Sequence, residues 1–443
     1  MNRHAAAGVH AIALAGGRGI RALPLTLISN DYMRSKAAIN LLGRPLVEWM
    51  VCFLRDQGVT EFSVLANGRE NRTQIKEILG DGHRLGAGVR YSRARFDRYN
   101  TGSGEATLRC LEHWNLTGTA VVFPTDSVFG FDLGSMVRQH RESGAVVTVG
   151  TVLRAPAEAA EKYGVLVPDA SGRVRRFVEK PDLVHAEVLA EAGALHTSAG
   201  IYLIDCARLR EIAKEPDLQR LAVEALDWGA NLLPYLVSRG HRVHASTVDR
   251  FGDLGNPRDY LATMRSMLAD GYPALSELID PPVNLPGGSR VHPSSLKLPG
   301  PVHGHTLESL IAQGSVRIGP NVRVGRDVEL GLGVDLEDCD IGDGVDIGEG
   351  TRLRGVSCGD HAIIGSWAEI SDSVLGISAT VGSDRHARTV LDGYCVLGDE
   401  AMVEAGARLT GVDVFPRLTV RAGGALPPGA RLTAAGAQPR LVP

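Results

Sequence analysis

The chain of 443 residues is poor in the features that mark secreted, membrane-spanning or nucleic-acid-binding proteins. Its six cysteines (Cys52, Cys110, Cys206, Cys339, Cys358 and Cys395) are scattered, with no CxxC pair. That argues against a disulfide scaffold and a zinc knuckle, and fits a reducing cytosol. No apolar run approaches membrane-spanning length. The opening MNRHAAAGVHAIALAGG has a short apolar run that ends in glycines, and reads as a first strand rather than a signal peptide. A net charge of −4 gives no broad basic field, so nucleic acid is not an expected partner and any polyanion must be held by a local pocket. A cytoplasmic protein without a membrane partner is expected. Hydrophobic content of 44% and charged content of 22% are those of a soluble globular chain, whose length calls for two or three domains.

What is present falls into two patterns. Up to about residue 265, strand and helix signals alternate. Val9–Leu14 reads as a buried parallel strand ending at Gly16-Gly17, and Leu46, Met50, Phe53 and Leu54 recur at helical spacing before Gly58. Phe62–Leu65, Ala120–Phe123 and Val146–Val152 read as further strands, and Arg69–Leu79 and Leu133–Ser143 as helices. This alternation implies an α/β domain, a mostly parallel sheet with helices on both faces. Residues 268–310 are dense in proline and glycine and read as a linker.

From Ile318 a period of six takes over. Aliphatic residues recur at Ile318, Val324, Leu330 and Leu336, then at Ile341, Ile347 and Leu353, many of them followed by glycine. Ile364-Gly365, Val381-Gly382 and Leu397-Gly398 carry the pattern on after short breaks. The step matches the hexapeptide repeats of a left-handed parallel β-helix, each face one short strand with its aliphatic residue inward. A sandwich with two-residue alternation explains neither the step nor the glycines. The expected limits are 1–267 for the α/β domain, 268–310 for the linker and 311–443 for a β-helix of about seven coils with its tail.

The richest chemistry follows the first strand, in Ala15-Gly16-Gly17-Arg18-Gly19-Ile20-Arg21-Ala22-Leu23-Pro24-Leu25-Thr26. Glycines let backbone N–H groups approach an oxyanion, and Arg18 and Arg21 add charge suited to a triphosphate. A satisfied βα turn with two solvated arginines explains the glycines equally well. A Walker A loop needs a Gly-Lys-Ser/Thr ending, which is absent. The dinucleotide pattern is formally met by Gly17, Gly19 and Ala22, but Pro24 stands where its helix should run, and the next strand ends at Leu65-Ala66-Asn67 without an acidic residue.

This segment resembles the Gly-Gly-x-Gly-Thr-Arg-Leu-x-Pro-Leu-Thr signature of the sugar-1-phosphate nucleotidyltransferases, which include glucose-1-phosphate adenylyltransferases and mannose-1-phosphate guanylyltransferases. Further segments match in the family's order: Ser35-Lys36-Ala37 with Leu42-Gly43-Arg44-Pro45-Leu46, Gly102-Ser103-Gly104-Glu105-Ala106, Phe123-Pro124-Thr125-Asp126, Tyr163-Gly164-Val165, Glu179-Lys180-Pro181, Ala199-Gly200-Ile201-Tyr202 and Asp253-Leu254-Gly255. With the hexapeptide tail, the resemblance spans nearly the whole chain. It implies a Rossmann-like nucleotidyltransferase domain followed by the β-helix, and joining of an NTP, ATP or GTP favoured, to a sugar or cyclitol 1-phosphate with release of pyrophosphate. It further implies Mg²⁺ held by Asp126 and Asp253, and Arg21 and Lys36 neutralising the triphosphate. Ala15, Gly16, Gly17, Gly19, Gly102, Ser103 and Gly104 would contact the nucleotide. Lys180 would grip the acceptor's phosphate, with Tyr163, Gly164, Glu179 and Ser198 on its hydroxyls. Two polyanions must meet in such a reaction, so a cation and fixed positive clamps are what the chemistry needs.

Several positions depart from the family pattern. Ile20 stands for threonine or serine, Ala22 for leucine, Ser198 for asparagine and Thr125 for glycine, and the spacer Leu27–Arg34 is long. The catalytic charges are kept while acceptor-reading positions differ, so an unusual hexose, heptose or cyclitol phosphate is expected. The resemblance also implies a homo-oligomer, dimer to tetramer. Two other readings stand beside this one. An acyltransferase built on His361 or His386 would make the enzyme bifunctional, and a silent regulatory subunit would lack catalysis.

Overall fold

The computed structural model describes residues 8–17, 19–29, 31–92, 102–223, 225–297, 299–300, 304–422 and 426–439. By its contacts the chain divides into two compact units, Met1–Gly17 with Val47–Phe251, and Arg18–Leu46 with Gly252–Pro443. This division crosses the sequence-based limits at 267 and 311, which follow order along the chain rather than packing.

The first unit is the expected α/β sheet with helices. Strand β1 (His10–Ala15) lies between β2 (Glu61–Ala66) and β4 (Thr119–Pro124), parallel to both, and β2 is parallel to β3 (Gly88–Tyr91). Ala11, Ile12 and Ala13 are fully buried, which explains why this strand reads as a continuous apolar run rather than an alternating one. Helix α1 (Leu46–Asp56) turns Val47, Met50 and Leu54 inward, α2 (Arg69–Leu79) turns Ile75 and Leu79, and α4 (Leu133–Ser143) turns Met136 and Val137. Asp132 caps α4, its carboxylate accepting the Ser135 N–H, and Gly144 ends the helix in the left-handed region.

The sheet is less parallel than the alternation suggests. Strand β8 (Leu195–Asp205) runs antiparallel to β4, to β5 (Val147–Arg154) and to β6 (Val165–Pro168). Strand β6 forms a hairpin with β7 (Val174–Val178), and β5 is parallel to β9 (Val243–Thr247). The hairpin turn is the Asp169–Gly172 segment. Asp169 accepts the backbone N–H of Ser171 and of Arg173, and Gly172 has φ 79°.

In the second unit the period of six becomes three columns of stacked parallel strands, a parallel β-helix. Successive coils advance by 17 residues: Ile341 lies under Cys358, and Ile347 under Ile364. Inward Ile341, Ile347 and Leu353 are fully buried, as the period requires. At the breaks noted in the sequence the step lengthens to 22 residues, between Ile377 and Asp399. Two columns hold six strands and the third nine, the last of them antiparallel, so the described residues make about six full coils rather than seven. The stretch read as a linker is not bare of structure. Within it Arg290–Val291 already pairs with Arg323–Val324 and begins the longest column, and Pro293–Lys297 is helical.

Candidate active site

The carboxyl ends of β1 and β4 lie side by side, with Leu14 opposite Pro124. Thr125 continues the register, its N–H donating to the Leu14 carbonyl at 3.2 Å. Beyond these ends opens a cavity of about 450 Å³ in the first unit, lined by Ala15, Gly16, Gly17, Gly102, Ser103 and Asp126 among others. A crevice at the carboxyl ends of parallel strands is where an open α/β sheet binds its ligand. Six of the residues marked in the sequence therefore share one cavity. Tyr202, from another matching segment, and Asn67, at the end of β2, also line it, and Arg109, Trp114, Asp227 and Trp228, which no sequence signal marked, complete it.

The Gly102–Ala106 segment is clamped from one side. Helix α3 (Ser103–His113) starts at Gly102, and the Asp227 carboxylate accepts both the Ser103 N–H at 3.0 Å and the Ser103 hydroxyl at 3.1 Å. The Ser103 hydroxyl in turn accepts the Trp228 N–H, and the Trp228 indole donates to Thr107. A Cβ on Gly102 or Gly104 would stand 2.6 or 2.7 Å from the Leu226 carbonyl oxygen. Both glycines are thus required for close approach to the backbone of residues 226 and 227.

The residues expected on the acceptor side form a second cluster in the same unit. A Cβ on Gly164 would lie 2.7 Å from the Glu179 carboxylate, and one on Gly229 would lie 2.5 Å from it, so two glycines enclose this carboxylate. Burial pushes the Glu179 carboxyl above the usual range, against the neighbouring Lys180, and Asp227 adds to the rise. Ser198 donates its N–H to the Gly164 carbonyl and accepts the Gly200 N–H. Tyr202 stacks on Trp228 with ring centroids 4.4 Å apart, and burial pushes its phenol up to about 12. Tyr202 and Asp227 belong to the cavity lining, which joins this cluster to the cavity. Glu179 and Lys180 lie just past the end of β7, not on it, and Lys180 is exposed with φ 44°. Tyr163 packs edge-on against Phe251 and lies under the Arg154 guanidinium.

Four expected residues belong to the second unit. Gly19 has φ 65° and accepts the Thr26 hydroxyl on its carbonyl at 2.9 Å. A Cβ there would meet Thr26 at 2.7 Å and the Lys36 side chain at 3.2 Å, so the Gly19 turn and Lys36 pack together. Asp253 accepts the Gly255 N–H at 2.9 Å, and Arg21 extends to the same glycine. After Gly19 the chain makes only one 3₁₀ turn, Ile20–Ala22, which agrees with rejecting a dinucleotide helix. Arg18 lies outside the described residues. On the β-helix His361 and His386 are both exposed.

Comparison with known proteins bears on both units. Residues 10–270 match the family model described as nucleotidyl transferase, and residues 305–425 match one described as the GMPPB C-terminal domain. The UTP–glucose-1-phosphate uridylyltransferase of Synechocystis sp. is 28% identical over 267 residues, 58% of this chain and 63% of that protein. The glucose-1-phosphate adenylyltransferases of Trichlorobacter lovleyi and Corynebacterium aurimucosum are 27% and 28% identical, covering 53% and 52% of this chain and 56% and 57% of their own. The chain spans about three fifths of the length of these curated relatives. With the glycine-lined cavity at the carboxyl ends of β1 and β4, and a family model covering more than half of the sequence, the chain belongs to the nucleotidyl transferase family.

Proposed function

We propose that the protein is a sugar-1-phosphate nucleotidyltransferase that condenses an NTP with a hexose-, heptose- or cyclitol-1-phosphate and releases pyrophosphate. The observation that carries this reading is the single cavity holding Ala15, Gly16, Gly17, Gly102, Ser103 and Asp126. Its glycines offer backbone N–H groups to phosphate and base, and Asn67 and Trp114 border the same space. Catalysis needs positioning more than covalent work. The acceptor phosphate must approach the α-phosphorus in line while charge moves toward pyrophosphate. Arg21 and Lys36 supply fixed positive charge to the triphosphate. Lys180 holds the acceptor's phosphate, while Tyr163, Glu179, the Gly164 backbone and Ser198 bind its hydroxyls.

Asp126 and Asp253 are the carboxylates suited to a hard cation. Mg²⁺ fits such oxygen donors, keeps waters, and when bound would neutralise phosphate charge. The same family logic makes the enzyme a homo-oligomer. Six buried free cysteines fit a reducing cytoplasm, and no described helix is long and apolar enough to cross a membrane. The test is pyrophosphate release with Mg²⁺ over a grid of five NTPs and a panel of sugar and cyclitol 1-phosphates. The expected result is one productive pair whose signal vanishes in Asp126→Ala. A folded protein silent across the grid would count against the reading.

A further inference from the structure

The second unit holds a strained turn beside Lys36. Asn40–Leu41 and Arg44–Pro45 form a two-stranded hairpin joined by Leu42 and Gly43, whose φ values are 51° and 74°. Positive φ suits Gly43 but is an outlier for leucine, because its Cβ crowds the following carbonyl. Such a residue persists only where its surroundings dictate it, and strain of this kind gathers at functional sites. Leu42 is 2% exposed, so solvent does not relieve it.

Two β-helix side chains dictate this turn. Asp340 accepts the Leu42 N–H on one carboxylate oxygen at 3.0 Å, and the Arg323 guanidinium on the other at 2.8 Å. Both side chains are buried, at 7% and 6% exposure. Arg323 also donates to the Asp280 carbonyl at 2.7 Å, so its fork is fixed. A Cβ on Gly43 would stand 2.0 Å from an Arg323 nitrogen, so the guanidinium fills the space that any side chain there would need. The segment is pinned at further points. Tyr260 donates its hydroxyl to the Asn40 carbonyl at 2.8 Å, Arg44 donates to the Leu278 carbonyl at 3.1 Å, and Arg34 pairs with Asp399. Lys36 lies between Arg34 and Asn40, on the 3₁₀ turn Lys36–Ala38.

We propose that Asp340 and Arg323 are positioning residues for Lys36: by locking the Leu42–Gly43 turn, this buried pair makes the β-helix part of the machinery that presents the lysine to the triphosphate. The proposal rests on the nucleotidyl-transfer reading for Lys36's role. A buried ion pair is weak evidence of a gain in stability, because desolvation offsets attraction. A role in setting one geometry explains its presence better than a role in holding the fold.

Removing one partner leaves an uncompensated buried charge and risks unfolding. The informative variant is therefore the double change Asp340→Leu with Arg323→Met, which keeps the volume apolar. Hydrogen exchange and steady-state kinetics on the whole 443-residue chain read the outcome. We expect a melting temperature near that of the unmodified protein, faster amide exchange across residues 31–46, and unchanged exchange in β1 and β4. The expected kcat falls about a hundredfold, the scale of a 1 Å misplacement, with a smaller change in KM for NTP. Val381→Ala, in the β-helix core, should lower the melting temperature while leaving kcat alone. Unchanged exchange across 31–46, or full kcat in the double variant, would overturn the proposal. An unmodified protein without turnover would sink the nucleotidyl-transfer reading instead, and the exchange measurement would still decide whether the pair holds the turn.

Discussion

At the scale of single residues, the site is organised by carboxylates that differ in their tasks. Asp227 has one oxygen on both the N–H and the hydroxyl of Ser103, so it caps α3 and fixes the loop beside the cavity. Replacing it by alanine should cost about 1 kcal/mol in chemical denaturation, as lost caps do, and raise KM for NTP more than it lowers kcat. Asp227→Asn, which keeps an acceptor, should restore most of the KM. Burial also sets a pH response far from the cavity. His140 is 3% exposed, shares a hydrogen bond with Thr148, and has its pKa lowered from 6.5 to about 4. The folded ring stays neutral where the unfolded one takes a proton, so its contribution to stability is lost as pH falls from about 6.5 toward 4. Melting curves across that window should decline less steeply for His140→Gln than for the unmodified protein. Equal slopes would show that the ring does not carry this linkage. Asp126 and the glycines of the cavity were legible through the resemblance, since they stand in segments that match the family's in order. Asp227 and Trp228 were not: their roles come from a contact with Ser103 more than a hundred positions away, and local sequence carries no trace of it.

Whole elements were more legible than their contacts. Arg69–Leu79 and Leu133–Ser143 are helices with the limits read in the sequence, and β1, β2 and β4 fall within a residue or two of expectation. The antiparallel β8 was missed, since period and composition are silent on strand direction. Its bend explains why it pairs with several neighbours: Gly200 has φ 76°, and the β5–β8 register shifts near it. The hexapeptide columns were the plainest signal, because every coil repeats the same burial. That regularity predicts additive costs: Ile347→Ala should lower stability by about 2–5 kcal/mol in denaturant titration, leaving the coils on either side paired. At the start of α3, Gly104→Ala forces a Cβ to within 2.7 Å of the Leu226 oxygen. Turnover should fall sharply there while the melting temperature moves little, and a variant with normal KM for NTP would contradict the clamp.

At the scale of the molecule, the proposed catalytic groups are shared between the two units. Ala15, Gly16, Gly17, Gly102, Asp126, Glu179 and Lys180 belong to one, and Gly19, Arg21, Lys36 and Asp253 to the other. The division falls inside the signature segment, between Gly17 and Arg18, and again between Phe251 and Gly252. The signature segment is thus divided between the units, and Gly19, Arg21, Lys36 and Asp253 fall in the unit that contains the β-helix. The central claim is transfer of a nucleotidyl group to a phosphorylated acceptor. It is tested most directly by following the α-phosphorus: the productive NTP is supplied with label at the α-position, and in a parallel reaction at the γ-position, with acceptor and Mg²⁺. The account predicts α-label in a nucleotide-linked product and γ-label in pyrophosphate, with both lost in Asp126→Ala. Release of γ-label as inorganic phosphate, or α-label left on free nucleotide, would contradict it.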